Sequence, residues 1–348
     1  MLRISVLDQS PIVEGSNGSE ALHNTLDLAR LTDRLGFHRY WVAEHHGGPM
    51  LASPSPEVLI GPLAAATERI RVGSGGVMLP HYSPLKVAEN FSMLAGLAPG
   101  RIDLGIGRAP GSDGHTMLAL QRDRRQAAPD DFPQQLAELL GYFEDDLPRG
   151  HPFARYSKWL PGRPQRPDVW LLGSSPQSAL WAAELGVPYS FADFINPRGA
   201  AIAQDYRERF QSGKRSEAPE VNVGVWALAA DSDEEAQLLS TSARMAMAML
   251  RQGRLIEVPT VERAVRFLES QGSEIAGAPA GRRTIVGTPA RVREGIEQVA
   301  EEYGAGEVVV ITITHDHAAR RRSYELIAEQ FGLSASPNHT HPGVAMQS

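Results

Sequence analysis

The chain has no cysteine among its 348 residues. That excludes disulfides, thiolate metal ligands and a cysteine nucleophile, and it fits a reducing compartment. An excess of basic charge is also missing: 34 Lys and Arg stand against 41 Asp and Glu, a net charge of −7. This argues against a nucleic-acid partner, which would favour a basic face. No apolar run approaches the roughly 18–20 residues that a bilayer span needs, so no membrane partner is expected. The amino-terminal MLRISVLDQSP lacks the basic-then-apolar pattern of a secretory signal, and a cytoplasmic location is expected. What remains is ordinary globular composition, 42% hydrophobic and 22% charged. The length exceeds that of most single domains, but α/β barrels reach it as one unit.

Short β-rich apolar runs alternate with amphipathic helical stretches, the rhythm of stacked βα units. Strands are expected at Arg3–Leu7, Tyr40–Ala43, Ile70–Leu79, Ile102–Ile106, Val169–Leu172, Tyr189–Ala192, Val221–Ala229 and Val308–Ile313. Helical spacing runs over Ser19–Leu35, Glu57–Thr67, Pro84–Leu97, Phe132–Phe143, Ser178–Leu185, Ala200–Phe210, Glu235–Leu250, Thr260–Gln271 and Ala318–Phe331. The segment Arg108–Asp131 has no clean period and reads as a long loop over one end; Gly272–Arg283 reads as a second loop. Eight strands, each followed by helical material, predict a (β/α)8 TIM barrel with an insertion after strand 4 and an extra helical segment between strands 7 and 8. The alternative is a doubly wound open sheet. Residues 1–332 are expected to form a single domain, followed by a disordered tail, 333–348.

In a barrel, chemistry gathers where strands release their loops. The second strand stops at Glu44, His45 and His46. Adjacent side chains leave a strand in opposite directions, so the two histidines are expected to take different roles. A metal site is not expected, because ligands at neighbouring positions rarely converge. The third strand contains Gly75-Gly76, marking either a bulge, an unusual peptide geometry or a close approach by a flat ligand. The fourth ends in Gly105-Ile106-Gly107-Arg108-Ala109-Pro110-Gly111. This is GxGxxxG rather than GxGxxG, and Pro110 interrupts the helix start, so a dinucleotide fold is rejected. Arg108 reads as a phosphate fork, or as a surface ion pair. The fifth strand ends in Gly173-Ser174-Ser175-Pro176-Gln177-Ser178, a strand–turn–helix that either caps itself or binds an anion. Asp8, Gln9, Tyr82 and Phe194 are read as pocket lining.

Assembled, these segments resemble the bacterial luciferase-like family of flavin-dependent monooxygenases over roughly residues 1–331. The resemblance is carried by WVAEHH (Trp41–His46), RVGSGGVMLPHYSP (Arg71–Pro84), GRIDLGIGRAPG (Gly100–Gly111), VWLLGSSPQSALWAAELG (Val169–Gly186), IVGTP (Ile285–Pro289) and SYELIAEQFG (Ser323–Gly332). It implies a barrel that binds reduced FMN supplied by a separate reductase and oxygenates a small organic substrate with dioxygen through a flavin peroxide. It further implies His45 as the catalytic base, a non-prolyl cis peptide at Gly75-Gly76 beneath the flavin ring, and a phosphate held by Arg108, Ser174, Ser175 and Ser178. His46 and Glu89 match a pair placed near a subunit interface, and a homodimer is implied. The family's active-site cysteine falls at Gly107, and a second phosphate arginine does not align, although Arg124 or Arg125 could stand in for it. Two alternatives stay open: hydride transfer with a deazaflavin in the same barrel, and flavin binding without catalysis.

Overall fold

The computed structural model describes residues 2–108, 113–121, 123–125, 130–273 and 283–334. Pro110 and Gly111, most of the Gly272–Arg283 loop and nearly all of the expected tail lie outside these described residues. The chain opens with β1 (Arg3–Asp8), α1 (Gly18–Leu35), β2 (Arg39–Val42), α2 (Pro56–Ala66), β3 (Arg71–Met78), α3 (Pro84–Leu97) and β4 (Ile102–Gly107). It continues with α4 (Gly114–Leu120), α5 (Phe132–Glu144), β5 (Asp168–Gly173), α6 (Pro176–Leu185), β6 (Tyr189–Ala192), α7 (Ala200–Arg209) and β7 (Val221–Ala229). Then come α8 (Asp233–Arg251), α9 (Val261–Ser270), β8 (Thr284–Gly287), α10 (Pro289–Tyr303), β9 (Glu307–Ile311) and α11 (His317–Phe331).

Local chemistry explains the boundaries. Asn17 caps α1 by accepting the Glu20 amide, and Gly36 ends that helix at φ +90°, a conformation that only glycine adopts freely. Proline sits in the first turn of α2, α3, α5, α6 and α10, where its missing N–H costs nothing. Every strand pairing within the sheet is parallel. The ring closes because β1 pairs with both β2 and β9, while β7 pairs with both β6 and β9. That is the expected (β/α)8 barrel, and closure excludes the open sheet.

Two features differ from the sequence reading. Strand β8, together with α10, lies between the seventh and eighth barrel strands; β8 pairs only with the last residues of β7, from Trp226 to Ala229. Four residues with one partner carry too little pattern to stand out. The spacing of Val292, Ile296, Val299 and Tyr303 does announce α10, and all four are buried. Within Arg108–Asp131, read as loop throughout, Asp113 caps the short α4 through the His115 and Thr116 amides.

Packing divides into two shells. The larger lies between sheet and helices, where Val6, Val42, Val72, Leu104, Val223 and Val310 meet the helical faces. The smaller fills the barrel bore with Leu7, Trp41, Trp170, Val309 and Ile311. Below that layer sits a knot of buried charge. Arg39 donates to Glu307 at 2.6 Å and to Asp103 at 2.8 Å, and its guanidinium lies 4.6 Å from the Trp170 ring centre. Ser5 donates to Glu307, Trp41 Nε1 to Asp103 and Arg71 to Asp103. Removing one partner of such a group leaves a carboxylate buried without compensation. Arg39→Met is therefore expected to destabilise the fold by about 3–5 kcal/mol, measured by urea unfolding; a loss below about 1 kcal/mol would show that the knot adds nothing.

Candidate functional site

Parallel closure brings every strand's carboxyl end to one mouth, so Glu44, His45, His46, Gly76, Arg108 and Ser174 are delivered to the same face. The two histidines separate, as adjacent positions should. His46 is nearly buried and bonds Glu44 through Nε2 at 2.8 Å. His45, half-buried, is anchored by its amide on the Ser53 carbonyl at 3.0 Å. Glu44 is fully enclosed and also accepts the Met78 amide at 2.9 Å, which ties the β2 ending to the β3 ending. Burial pushes the Tyr82 phenol up, with Glu44 and Glu57 adding to the effect. Burial likewise raises the Glu57 carboxyl, with Glu44 contributing. The loop carrying His45 is covered from two sides. Thr116 of α4 lies against Gly47, and Leu255 lies against Gly48, so a Cβ on either glycine would strike it.

The Gly75–Gly76 peptide is cis. Gly75 pairs with Gly105 and Val77 with Ile106, so Gly76 is the extra residue of a bulge. Both glycines are required by packing inside the protein. A Cβ on Gly75 would lie 2.6 Å from Leu7 Cδ1, and one on Gly76 would lie 2.7 Å from the Gly105 carbonyl oxygen. Arg108 leaves β4 half-exposed, pairs with Asp130 at 2.9 Å, and holds its guanidinium 5.6 Å from the Trp181 ring of α6. It therefore stands beside the helix that the Ser174–Ser175 turn begins. Ser175 caps α6, and its side chain is exposed at the helix start.

Several expectations change in detail. Ser178, expected to help grip a phosphate, turns its hydroxyl inward: Oγ donates to the Ser175 carbonyl at 2.8 Å and lies 2.9 Å from Tyr189 Oη. It occupies the space that a Cβ on Gly173 would fill, so it supports the turn from beneath. Glu89 is paired with Lys86 on the outer face of α3, whereas His46 bonds Glu44. Arg125 is held by Asp123, and Arg124 donates to the Ala119 carbonyl. Asp8 does not line a pocket: it is fully buried, accepting from Arg320, Tyr40 and the Ser10 amide. Phe194 does reach the mouth, edge-on to Trp226 at 6.1 Å. The Glu44–His46 bond escaped the sequence reading. Its only trace there was the spacing of two residues at a strand end.

Among the described residues no cluster of three or more His, Asp or Glu could hold a metal ion, and no helix is long and apolar enough to cross a membrane. The donor set at the β4 and β5 endings has a different chemistry: a guanidinium, hydroxyls and the start of a helix. Those groups suit a phosphate monoester.

Comparison with known proteins identifies the family. A family model described as luciferase-like monooxygenase matches residues 2–306. A protein of Escherichia coli K12 named luciferase-like monooxygenase is 42% identical over 326 residues, covering 93% of this chain and 96% of that protein. The crystal structure of apo-MsnO8 superposes with a TM-score of 0.87 at 40% identity, covering 96% of this chain and 99% of that one. The oxygenating component of 3,6-diketocamphane monooxygenase from Pseudomonas putida, solved in complex with FMN, shares the fold with a TM-score of 0.72 at 18% identity, covering 96% and 98%.

The crowding at Gly76 has a direct consequence. Gly76→Ala must displace backbone and is expected to cost about 1–3 kcal/mol, the usual range for overpacking. Gly213→Ala, where nothing lies within 4 Å of the added carbon, should change stability by less than about 0.5 kcal/mol. Equal unfolding midpoints for the two variants would contradict the close β3–β4 approach.

Proposed function

Because the chain belongs to the luciferase-like monooxygenase family, we propose that it is an FMN-dependent monooxygenase that uses reduced FMN and dioxygen to oxygenate a small organic substrate. The observation that carries this reading is the shared mouth. Arg108 stands beside α6, the helix that the Ser174–Ser175 turn begins, and the His45 loop and Gly75–Gly76 lie toward the same face. The P. putida oxygenase of the same fold, solved with FMN, supports the choice of cofactor.

FMN, when bound, supplies the redox and oxygen chemistry. The protein's part is to bind, orient and seal. Arg108 and the hydroxyls of Ser174 and Ser175 hold the phosphate, with the amides at the start of α6 aiding them. Asp130 shares Arg108 in this state, so an incoming phosphate competes with that carboxylate. His45 accepts and returns a proton at an imidazole nitrogen. Glu44 fixes His46 on one side of the loop. Thr116 and Leu255 lie against the following glycines and brace the loop. No nicotinamide-binding motif is present in the sequence, so a separate flavin reductase is the supplier. The chain works in the cytoplasm as a homodimer.

Arg108→Ala removes a charge-assisted contact worth about 1.5–3 kcal/mol, so FMN should bind roughly 10- to 100-fold more weakly, measured by quenching of flavin fluorescence. Oxygen uptake should follow from reduced FMN and not from a reduced deazaflavin. Turnover with the deazaflavin alone, or unchanged FMN affinity in Arg108→Ala, would overturn the assignment.

A further inference from the structure

Beside the His45 loop three elements bring together ionisable groups, one of which has no part in the function derived above. The loop that feeds α2 anchors the loop of His45, whose amide donates to the Ser53 carbonyl at 3.0 Å. Four residues after Ser53, in the first turn of α2, stands Glu57. The β2 ending contributes Glu44 and His46, bonded at 2.8 Å. The β3 ending contributes the Met78 amide, 2.9 Å from the other Glu44 oxygen, and Tyr82, which hydrogen-bonds the same carboxylate. His81, next to Tyr82, stands edge-on to His46 with the ring centres 5.7 Å apart.

The two carboxyl groups are held differently. Glu44 accepts from an imidazole, an amide and a phenol, and such a set supports a buried negative charge. Glu57 has an enclosed Oε2 that takes no hydrogen bond from the described residues. An enclosed oxygen without a donor suits an uncharged carboxyl far better than a carboxylate. Burial acts most strongly on Glu57 and favours the neutral form; its own amide at the helix start opposes this, Glu44 adds to it, and His46 opposes it. The net direction is upward from the ordinary carboxyl range. Tyr82, whose phenol is itself pushed up by burial, faces both carboxyl groups from the β3 side.

We propose that Glu57 is a positioning residue for the His45 loop and acts on it as a proton-dependent latch. Uncharged, Glu57 lets the start of α2 lie against the β2 ending, and Ser53 keeps its hold on the His45 amide. When Glu57 loses its proton to solvent, two carboxylates, Glu57 and Glu44, act on each other where water is scarce. Moving the start of α2 relieves that repulsion, and Ser53 moves with it. The sign follows from a folded-state carboxyl that gives up its proton at higher pH than in the unfolded chain. Its stabilisation is fully present in acid and is lost as pH rises through the folded value. The loop is therefore held in acid and loosens toward alkaline pH. The proposal deepens the monooxygenase reading and rests on it for what His45 does, though not for the latch itself.

Hydrogen exchange of the full chain without FMN, read by mass spectrometry on residues 43–48 and corrected for intrinsic rates, tests the latch. In the wild-type chain the protection of that segment should fall about 10-fold or more from about pH 5 to about pH 8, while that of β6 holds. Glu57→Gln, which cannot ionise, should keep the acid-side protection across the whole range. Equal pH dependence in the two chains, or protection already lost from Glu57→Gln at the acid end, would overturn the proposal. If Glu57→Gln does not fold, Glu57→Ala replaces it, and a pH dependence equal to wild type overturns the proposal there too. Oxygen uptake driven by reduced FMN is then followed over the same range. Uptake should decline toward alkaline pH in the wild-type chain, and Glu57→Gln should move that decline to higher pH. A decline left unmoved by Glu57→Gln would overturn the positioning role and leave the flavin reading intact. Exchange as expected in a chain that shows no uptake at any pH would sink the flavin reading and leave the latch standing.

Discussion

The buried contact between Arg39 and the carboxylates of Asp103 and Glu307 is the constraint on which the rest of the molecule depends. It reaches from β2 to β4 and β9 across the barrel bore, and Ser5 adds β1. A charge so fully enclosed is tolerated only when several groups satisfy it at once. The arrangement therefore specifies one register for strands far apart in sequence. With register fixed, all strands release their loops at the same end, and the two ends of the barrel divide their tasks. One end holds the ion pairs of Arg39 and Arg71; the other carries Glu44, His45, Arg108 and the Ser174–Ser175 turn.

At the functional end the same logic runs in the opposite sense. Arg108 is half-exposed and shares its guanidinium with Asp130, a partner that a phosphate can replace. A binding group must remain available, whereas a structural one must be satisfied internally. The contrast between Arg39 and Arg108 expresses that difference in burial and in the rigidity of their partners. The serines of the α6 turn divide in the same way. Ser178 is committed to Tyr189 and the Ser175 carbonyl beneath the turn, while Ser174 and Ser175 stay near the surface. Glu44 and His46 form a third committed pair.

Much of this was legible in the sequence because barrel strands are buried on both faces and read as short apolar runs. Tyr40–Ala43 and Ile102–Ile106 ended where chemistry begins, and that placed the mouth. Gly75-Gly76 was readable as a disturbance in a strand, and it is both a bulge and a cis peptide. What spacing could not give was the direction of side chains inside a turn. Ser178 and Ser175 look alike in sequence, yet one faces inward because Gly173 leaves a gap beneath it. Asp8 looked like pocket lining until Arg320, 312 residues away, was found to claim it. β8 escaped because four residues paired along a single edge have no periodic signature.

The central claim is that Arg108 and the Ser174–Ser175 turn grip one phosphate at the barrel mouth. A crystal structure of the chain grown with FMN tests it most directly. The account predicts the FMN phosphate within hydrogen-bond distance of the Arg108 guanidinium and of a Ser174 or Ser175 hydroxyl, with Arg108 released from Asp130. A phosphate bound elsewhere, or FMN absent from the mouth at saturating concentration, would contradict it.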